Sequence, residues 1–392
     1  MRILAKGEDK MIVNRAWAER NLGFDPIARP APASTFAFAP AAGSSNGQTL
    51  QREIIDFDSE APAGREFLAF TTATGLSRYT EIPWPKGLAP KTDASPKTRT
   101  GGRLPLGDVL VVTWTVDEGH ALSRVLTPGK DSRNDYRSYT RNYSSISKRM
   151  RAGCPARQAK RLGAYWTTTI ARKKVVVFKS DSHMSQDGPQ LPNKEVWKQI
   201  IEDVQPKLVI TTGTAGGIGK QFEVGDVVVS PIVRFDCLQK FKNKPFHNTY
   251  YSCSPANPKY FAKAKTLFKA NAGQLPKDNP RPPKIVLASP TALTSSVVTT
   301  DFFGFDTSNN HYKLWDLGDV SEMGDAVLGL VAKELGATAP RWVAVRNVSD
   351  PQIKADGMTL AQQAAFAAQI YKGFGRWSSV CSAIVCWALI VA

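Results

Sequence analysis

The stretch 208–230, LVITTGTAGGIGKQFEVGDVVVS, places the tightest constraint on what this chain can fold into. It opens with a short apolar run, 208–210. Small residues follow: Thr211, Thr212, Gly213, Thr214, Ala215, Gly216 and Gly217. A second apolar run, 227–229, comes after Gly225-Asp226. The pattern is that of two buried strands joined through a Gly-rich turn. Three glycines within the five residues 213–217 let a backbone approach a ligand with no Cβ in the way. Thr211, Thr212 and Thr214 add hydroxyls, and the turn offers a row of N–H donors. Taken alone, the segment reads equally well as a strand-to-strand turn without a ligand.

The rest of the chain supplies context. DVLVVT at 108–113 reads as a first buried strand, with a helix from 117 to 126 stopped by Pro128-Gly129. The apolar run 175–179 predicts another strand. Helical spacing predicts a helix over 193–204, with Val196, Ile200, Ile201 and Val204 on one face and Asn193 as its cap. Strands are predicted at 285–288 and 342–348, and a helix at 321–335. Alternating strands and helices argue for an α/β domain around a central sheet. There is no internal repeat. The main domain is expected over 104–392, preceded by an N-terminal extension, 1–103. In the extension, 29–45 is rich in Ala and Pro, and 83–102 is rich in Pro, Lys, Thr and Gly. Both read as linkers or irregular surface. Residues 54–80 between them suggest a few short strands.

Charge narrows the partners. The 392 residues carry a formal net charge of +17 and a pI near 9.7, which favours anionic ligands or surfaces. Much of the excess sits in a basic insert, 124–161, with Tyr136, Tyr139 and Tyr143 interleaved. It reads either as a surface for phosphate or nucleic acid or as a solvated face. Five widely spaced cysteines lack zinc-ligand spacing, and an odd count argues for reduced thiols in a cytosol. With four histidines, a His-rich metal site is not expected. The N-terminus MRILAKGEDK is charged where an export signal needs an apolar core. The apolar run 380–392 is too short to cross a bilayer and predicts a final helix packed in the core.

A P-loop is excluded: Gly219-Lys220 is followed by Gln221, and Thr214 stands where the first glycine belongs. No HExxH helix occurs. Three other pieces converge. One is the strand ending VRNVSD, with Ser349-Asp350 where α/β proteins bind ligands. The second is Glu322-Met323-Gly324-Asp325 at a helix start. The third is WTVDE, 114–118, just after the first strand.

In order and type, TTGTAGGI…GDVVVS, TTDFFGF, SEMGDAV and VRNVSD resemble the nucleoside phosphorylase and nucleosidase superfamily, most of all its methylthioadenosine/S-adenosylhomocysteine nucleosidases. The resemblance covers residues 104–392. It implies a three-layer α/β sandwich with a mixed, partly closed sheet and no cofactor or metal. It also implies a purine nucleoside or nucleotide as substrate and a cytoplasmic homo-oligomer. By the same resemblance Asp350 protonates the leaving base, Ser349 stands beside it, and Glu118 activates water. Phe303 stacks on the purine, Met323 floors the ribose, and Thr214, Ala215 and Gly216 line the sugar. Glu322 belongs to the same ribose subsite. The family's phosphorylases carry an arginine where this chain has Thr212, so hydrolysis is expected over phosphorolysis. The basic insert leaves phosphate contacts, and hence phosphorolysis, as the alternative. One departure stands out. The family's EME reads Glu322-Met323-Gly324 here, and losing that second carboxylate costs about 1.5–3 kcal/mol of sugar binding. A nucleotide-binding sensor with reduced turnover is the third reading.

Overall fold

A computed structural model describes residues 13, 15–22, 81–184, 188–289, 291–355 and 357–392. The stretches 29–45 and 54–80, read above as linker and short strands, lie outside the described residues. The strands are β1 (Lys91–Thr92), β2 (Val109–Thr113), β3 (Arg137–Tyr139), β4 (Gly163–Ile170), β5 (Lys173–Ser180), β6 (Leu208–Gly217), β7 (Val227–Ser230), β8 (Ile232–Asp236), β9 (Tyr250–Ser252), β10 (Ile285–Leu287), β11 (Val297–Thr300), β12 (Val320–Glu322) and β13 (Arg341–Asp350). The helices are α1 (Arg15–Leu22), α2 (Val116–Leu126), α3 (Tyr143–Ile146), α4 (Pro155–Ala159), α5 (Asn193–Val204), α6 (Phe261–Leu267), α7 (Asp325–Leu335) and α8 (Leu360–Val391).

One mixed sheet runs β1-β4-β5-β2-β6-β12-β11-β8-β9, and it branches at β6, where β13 adds and carries β7 and β10. β2 lies parallel to both β5 and β6, and β13 lies parallel to β6. The pairings do not close into a ring. Strand alternation explains the three layers. Val109 and Val111 of β2 enter one core with Leu122 and Val125 of α2 and Ile384 of α8. Leu110 and Val112 enter the other with Val196 and Ile200 of α5 and Leu328 of α7. Both faces are therefore covered, which is why the central strands read as continuous apolar runs.

Three expectations are corrected. The Gly-rich segment 211–217 is not a turn but the second half of β6, paired with β13 along its length and with β12 at Gly216 and Gly217. The helix expected over 321–335 begins at Asp325, because Val320–Glu322 pairs with β6 and β11 as a strand. Asn193 does not cap α5; its amide donates to Ser182 instead. The run 380–392 is the end of the 32-residue α8. That helix is long and apolar enough to cross a membrane, but 89% of its most apolar window is buried in the protein. Residues 83–102 are irregular apart from β1 and one short 3-10 turn. From the extension, Val13 bridges Ile353, and Trp17 packs against Phe366 and Phe374 of α8.

Candidate active site

The ends of β2, β5, β6, β12 and β13 converge on a cavity of about 100 Å³. The residues given catalytic or substrate-binding roles from the sequence all lie in its wall: Glu118, Thr214, Ala215, Gly216, Phe303, Glu322, Met323, Ser349 and Asp350. Sequence reading missed Lys179, Asp181, His183 and Tyr371, which line it too, and gave no role to Trp114 and Arg346 within the motifs it singled out. The one legible signal was Arg346, a cation inside the apolar strand VAVRNV.

Glu118 enters from α2. Thr115 caps that helix, its hydroxyl accepting from the Glu118 N–H while the Glu118 carboxylate reaches back to the Thr115 N–H. The same oxygen, Oε2, accepts from the Thr113 hydroxyl at 2.9 Å and the Trp114 N–H at 3.0 Å. Oε1 accepts from the Thr214 N–H and hydroxyl, both at 2.7 Å. Burial pushes this carboxylate up; the Arg346 charge and the hydrogen bonds from Thr115 and Thr214 outweigh it and hold Glu118 below its usual range.

Two glycines of β6, Gly213 and Gly216, leave room for the site's carboxylates. A Cβ on Gly213 would lie 2.5 Å from Glu118 Oε1, and one on Gly216 would lie 3.0 Å from Asp350 Oδ2. Gly213→Ala is therefore expected to displace a carboxylate held by five donors. The stability loss should be about 1–3 kcal/mol, as for other overpacked sites. Wild-type thermal stability in the purified variant would refute this account of the glycine.

Asp350 ends β13, just past an irregularity in the β6 pairing between Val348 and Asp350. It is 5% exposed, and its Oδ1 accepts from the Ser349 hydroxyl at 2.7 Å. Burial raises its pKa to about 7, with the Ser349 hydrogen bond only partly opposing. A carboxyl that keeps its proton near neutrality can donate it.

Glu322, Asp325 and Arg346 form a buried cluster. Arg346 is 2% exposed and grips Asp325 with both Nε (2.8 Å to Oδ2) and Nη2, while Nη2 lies 3.1 Å from Glu322 Oε2. Its guanidinium stacks 4.7 Å from the Trp114 ring. Glu322 accepts from the Thr299 hydroxyl and from the Gly324 and Asp325 N–H groups. Burial, then the Asp325 charge, raises Glu322 to about 7 against the pull of Arg346. Glu322 lines the cavity, whereas Asp325 faces Arg346.

Two expectations about phosphate are revised by position. Thr212 is buried beside Cys386 of α8 and does not line the cavity, so its identity carries no weight on the nucleophile. Some arginines of the basic insert are tied up in ion pairs, while Arg133, Arg137, Lys148, Arg151, Arg157 and Lys160 stay exposed. Arg141 pairs with Asp203 and Glu202, Arg149 with Glu195, and Arg161 with Asp181. From 124–161 only Pro155 reaches the cavity wall. Lys179, which does line it, is paired with Asp181. His183 is driven down to about 4 by burial, with Arg346 adding to the effect and Glu118 opposing it, so its ring is neutral at pH 7. Among the described residues no group of three or more metal-ligating side chains could hold an ion.

The sequence profile described as "Phosphorylase superfamily" matches residues 141–374. Thr214, Phe303, Glu322 and Asp350 lie within the match, and Glu118 precedes it. No curated protein matches the sequence. Among solved structures, the chain is similar to 5′-methylthioadenosine/S-adenosylhomocysteine nucleosidase from Neisseria meningitidis in complex with methylthio-immucillin-A. The identity is 15%, over 72% of this chain and 99% of that one, with a TM-score of 0.45. Futalosine hydrolase of Helicobacter pylori gives 12% identity over 72% and 96%, with a TM-score of 0.44. The Helicobacter pylori 5′-methylthioadenosine/S-adenosylhomocysteine nucleosidase with butyl-thio-DADMe-Immucillin-A gives 13% identity over 73% and 98%, with a TM-score of 0.45.

Proposed function

The chain belongs to the phosphorylase superfamily, and on that premise we propose that it hydrolyses the N-glycosidic bond of a purine nucleoside or nucleotide. One observation carries the reading: two carboxylates line one cavity with opposite proton affinities, Asp350 raised to about 7 and Glu118 held low. Environments that push paired carboxyl groups apart assign the acid and the base.

Asp350 gives its proton to N7 of the purine as the bond from C1′ to N9 breaks and its electrons pass into the ring. Water bonds to the cationic C1′ and becomes acidic as it does so. A carboxylate of low basicity is then strong enough to take its proton. Glu118 Oε1 is already engaged by the Thr214 hydroxyl, so that hydroxyl relays the proton. It accepts from water as its own hydrogen passes to Glu118. Phe303 offers a face to the base and Met323 an apolar floor to the sugar. Both cations in the cavity wall, Lys179 and Arg346, are committed to carboxylates, which favours water over a phosphate dianion as nucleophile.

The test is release of free base from adenosine, inosine, methylthioadenosine, AMP and ATP, followed by chromatography with and without phosphate. Release without phosphate is expected. Release only with phosphate would establish phosphorolysis, and tight binding without release would establish a sensor.

A further inference from the structure

We infer that the sugar subsite is built for a 2′-deoxyribose rather than for a ribose diol. This rests on the nucleosidase reading and names the substrate class of the same site. The support is a count of hydrogen-bonding capacity on the Met323 side of the cavity. A vicinal diol carries two O–H donors and is best held by a carboxylate with free lone pairs.

Glu322 has none to spare. Its Oε1 accepts from the Thr299 hydroxyl and the Asp325 N–H. Its Oε2 accepts from the Gly324 and Asp325 N–H groups and meets Arg346. Asp325 is spent on Arg346. Glu118 meets five donors on its two oxygens. Asp181 lies on the far wall just past β5, with β2 and β6 between that strand and β12, and is tied to Lys179 and Arg161.

The place beside Glu322 where a further side chain would stand is filled instead. A Cβ on Gly324 would come 3.1 Å from the Trp114 ring, so the indole closes that side with carbon. Arg346 and Trp197 hold the ring in place. A diol packed here would leave its donors to single neutral hydroxyls, whereas a 2′-methylene meets the indole without loss. The chemistry points the same way. A 2′-hydroxyl withdraws electrons from the forming cation at C1′, so the 2′-deoxy bond breaks more readily. A site whose Glu322 and Asp325 carboxylates are already engaged has little means of reversing that order.

The experiment compares adenosine with 2′-deoxyadenosine on the full chain, without phosphate. The expected result is a kcat/KM for 2′-deoxyadenosine about tenfold or more above that for adenosine. A preference for adenosine of about tenfold would overturn the inference. Calorimetric affinities for both nucleosides on the Asp350→Asn variant separate its failure from that of the parent reading. Affinities within about threefold, or tighter for the deoxynucleoside, are expected whether or not the wild type turns over. Matched binding with no release in the wild type would sink the hydrolase reading alone. Tenfold tighter binding of adenosine, or no binding of either, would sink the inference.

Discussion

Asp350→Asn is expected to lower kcat for base release by about 10²–10⁴-fold while the protein stays folded. The amide is close to isosteric with the carboxyl and still meets Ser349, but it has no proton of suitable acidity for N7. The pH profile makes the assignment specific. Asp350 works protonated, so wild-type activity should fall as pH rises through about 7, and the variant's residual activity should lack that limb. Stability moves in the same sense as activity. The folded-state pKa of Asp350 is raised, so its favourable contribution is fully present below the ordinary carboxylate value. That contribution is lost as pH rises from there through about 7. Above pH 7 the Asn variant should therefore melt no lower than the wild type. Full activity in Asp350→Asn, or an unchanged alkaline limb, would remove Asp350 from the mechanism.

Arg346→Met is expected to be the most destabilising substitution in the site, by about 3–5 kcal/mol, the usual cost of stripping one partner from a buried ion pair. Arg346 is the only cation that the Asp325 and Glu322 carboxylates touch among the described residues. It also carries the Trp114 ring and lies near Glu118. Without it two buried carboxylates must protonate or draw in water. Chemical denaturation should show a lower midpoint with an unchanged m-value. Arg346→Lys should recover only part of the loss, because an ammonium cannot match the forked contact with Asp325. A drop below about 1 kcal/mol for Arg346→Met would mean the cluster contributes little to folding.

Much of the architecture was legible because it is written at short range. VLVVT, VVVF and VAV are apolar runs whose neighbours on either side already commit them to a sheet covered on both faces. The structure finds them in β2, β5 and β13. Residues 193–204 show helical spacing and form α5. The polar strand ends that carry Glu118, Glu322 and Asp350 were also visible, since chemistry-bearing residues interrupt apolar patterns.

What misled was also local. Three glycines in 213–217 looked like a turn, yet β13 pairs beside them and keeps them extended. Thr212 looked like a wall of the ligand site, yet it lies one pleat before Thr214 on the same face of β6 and is covered there by Cys386 of α8. Arg141 and Arg149 looked like a basic surface, and found their acids 46 to 62 residues away on α5.

The sequence by itself determined the alternation of strands and helices and brought forward the residues proposed as acid and base. Only the tertiary structure decided why the glycines are glycines, which cations are spoken for, and how far each carboxyl's proton affinity moves. The reason is range. Strand and helix patterns depend on residues two to four apart, whereas Glu118 owes its lowered proton affinity partly to Thr214, 96 residues on. Asp350 owes its raised affinity to burial that no single neighbour in the chain supplies.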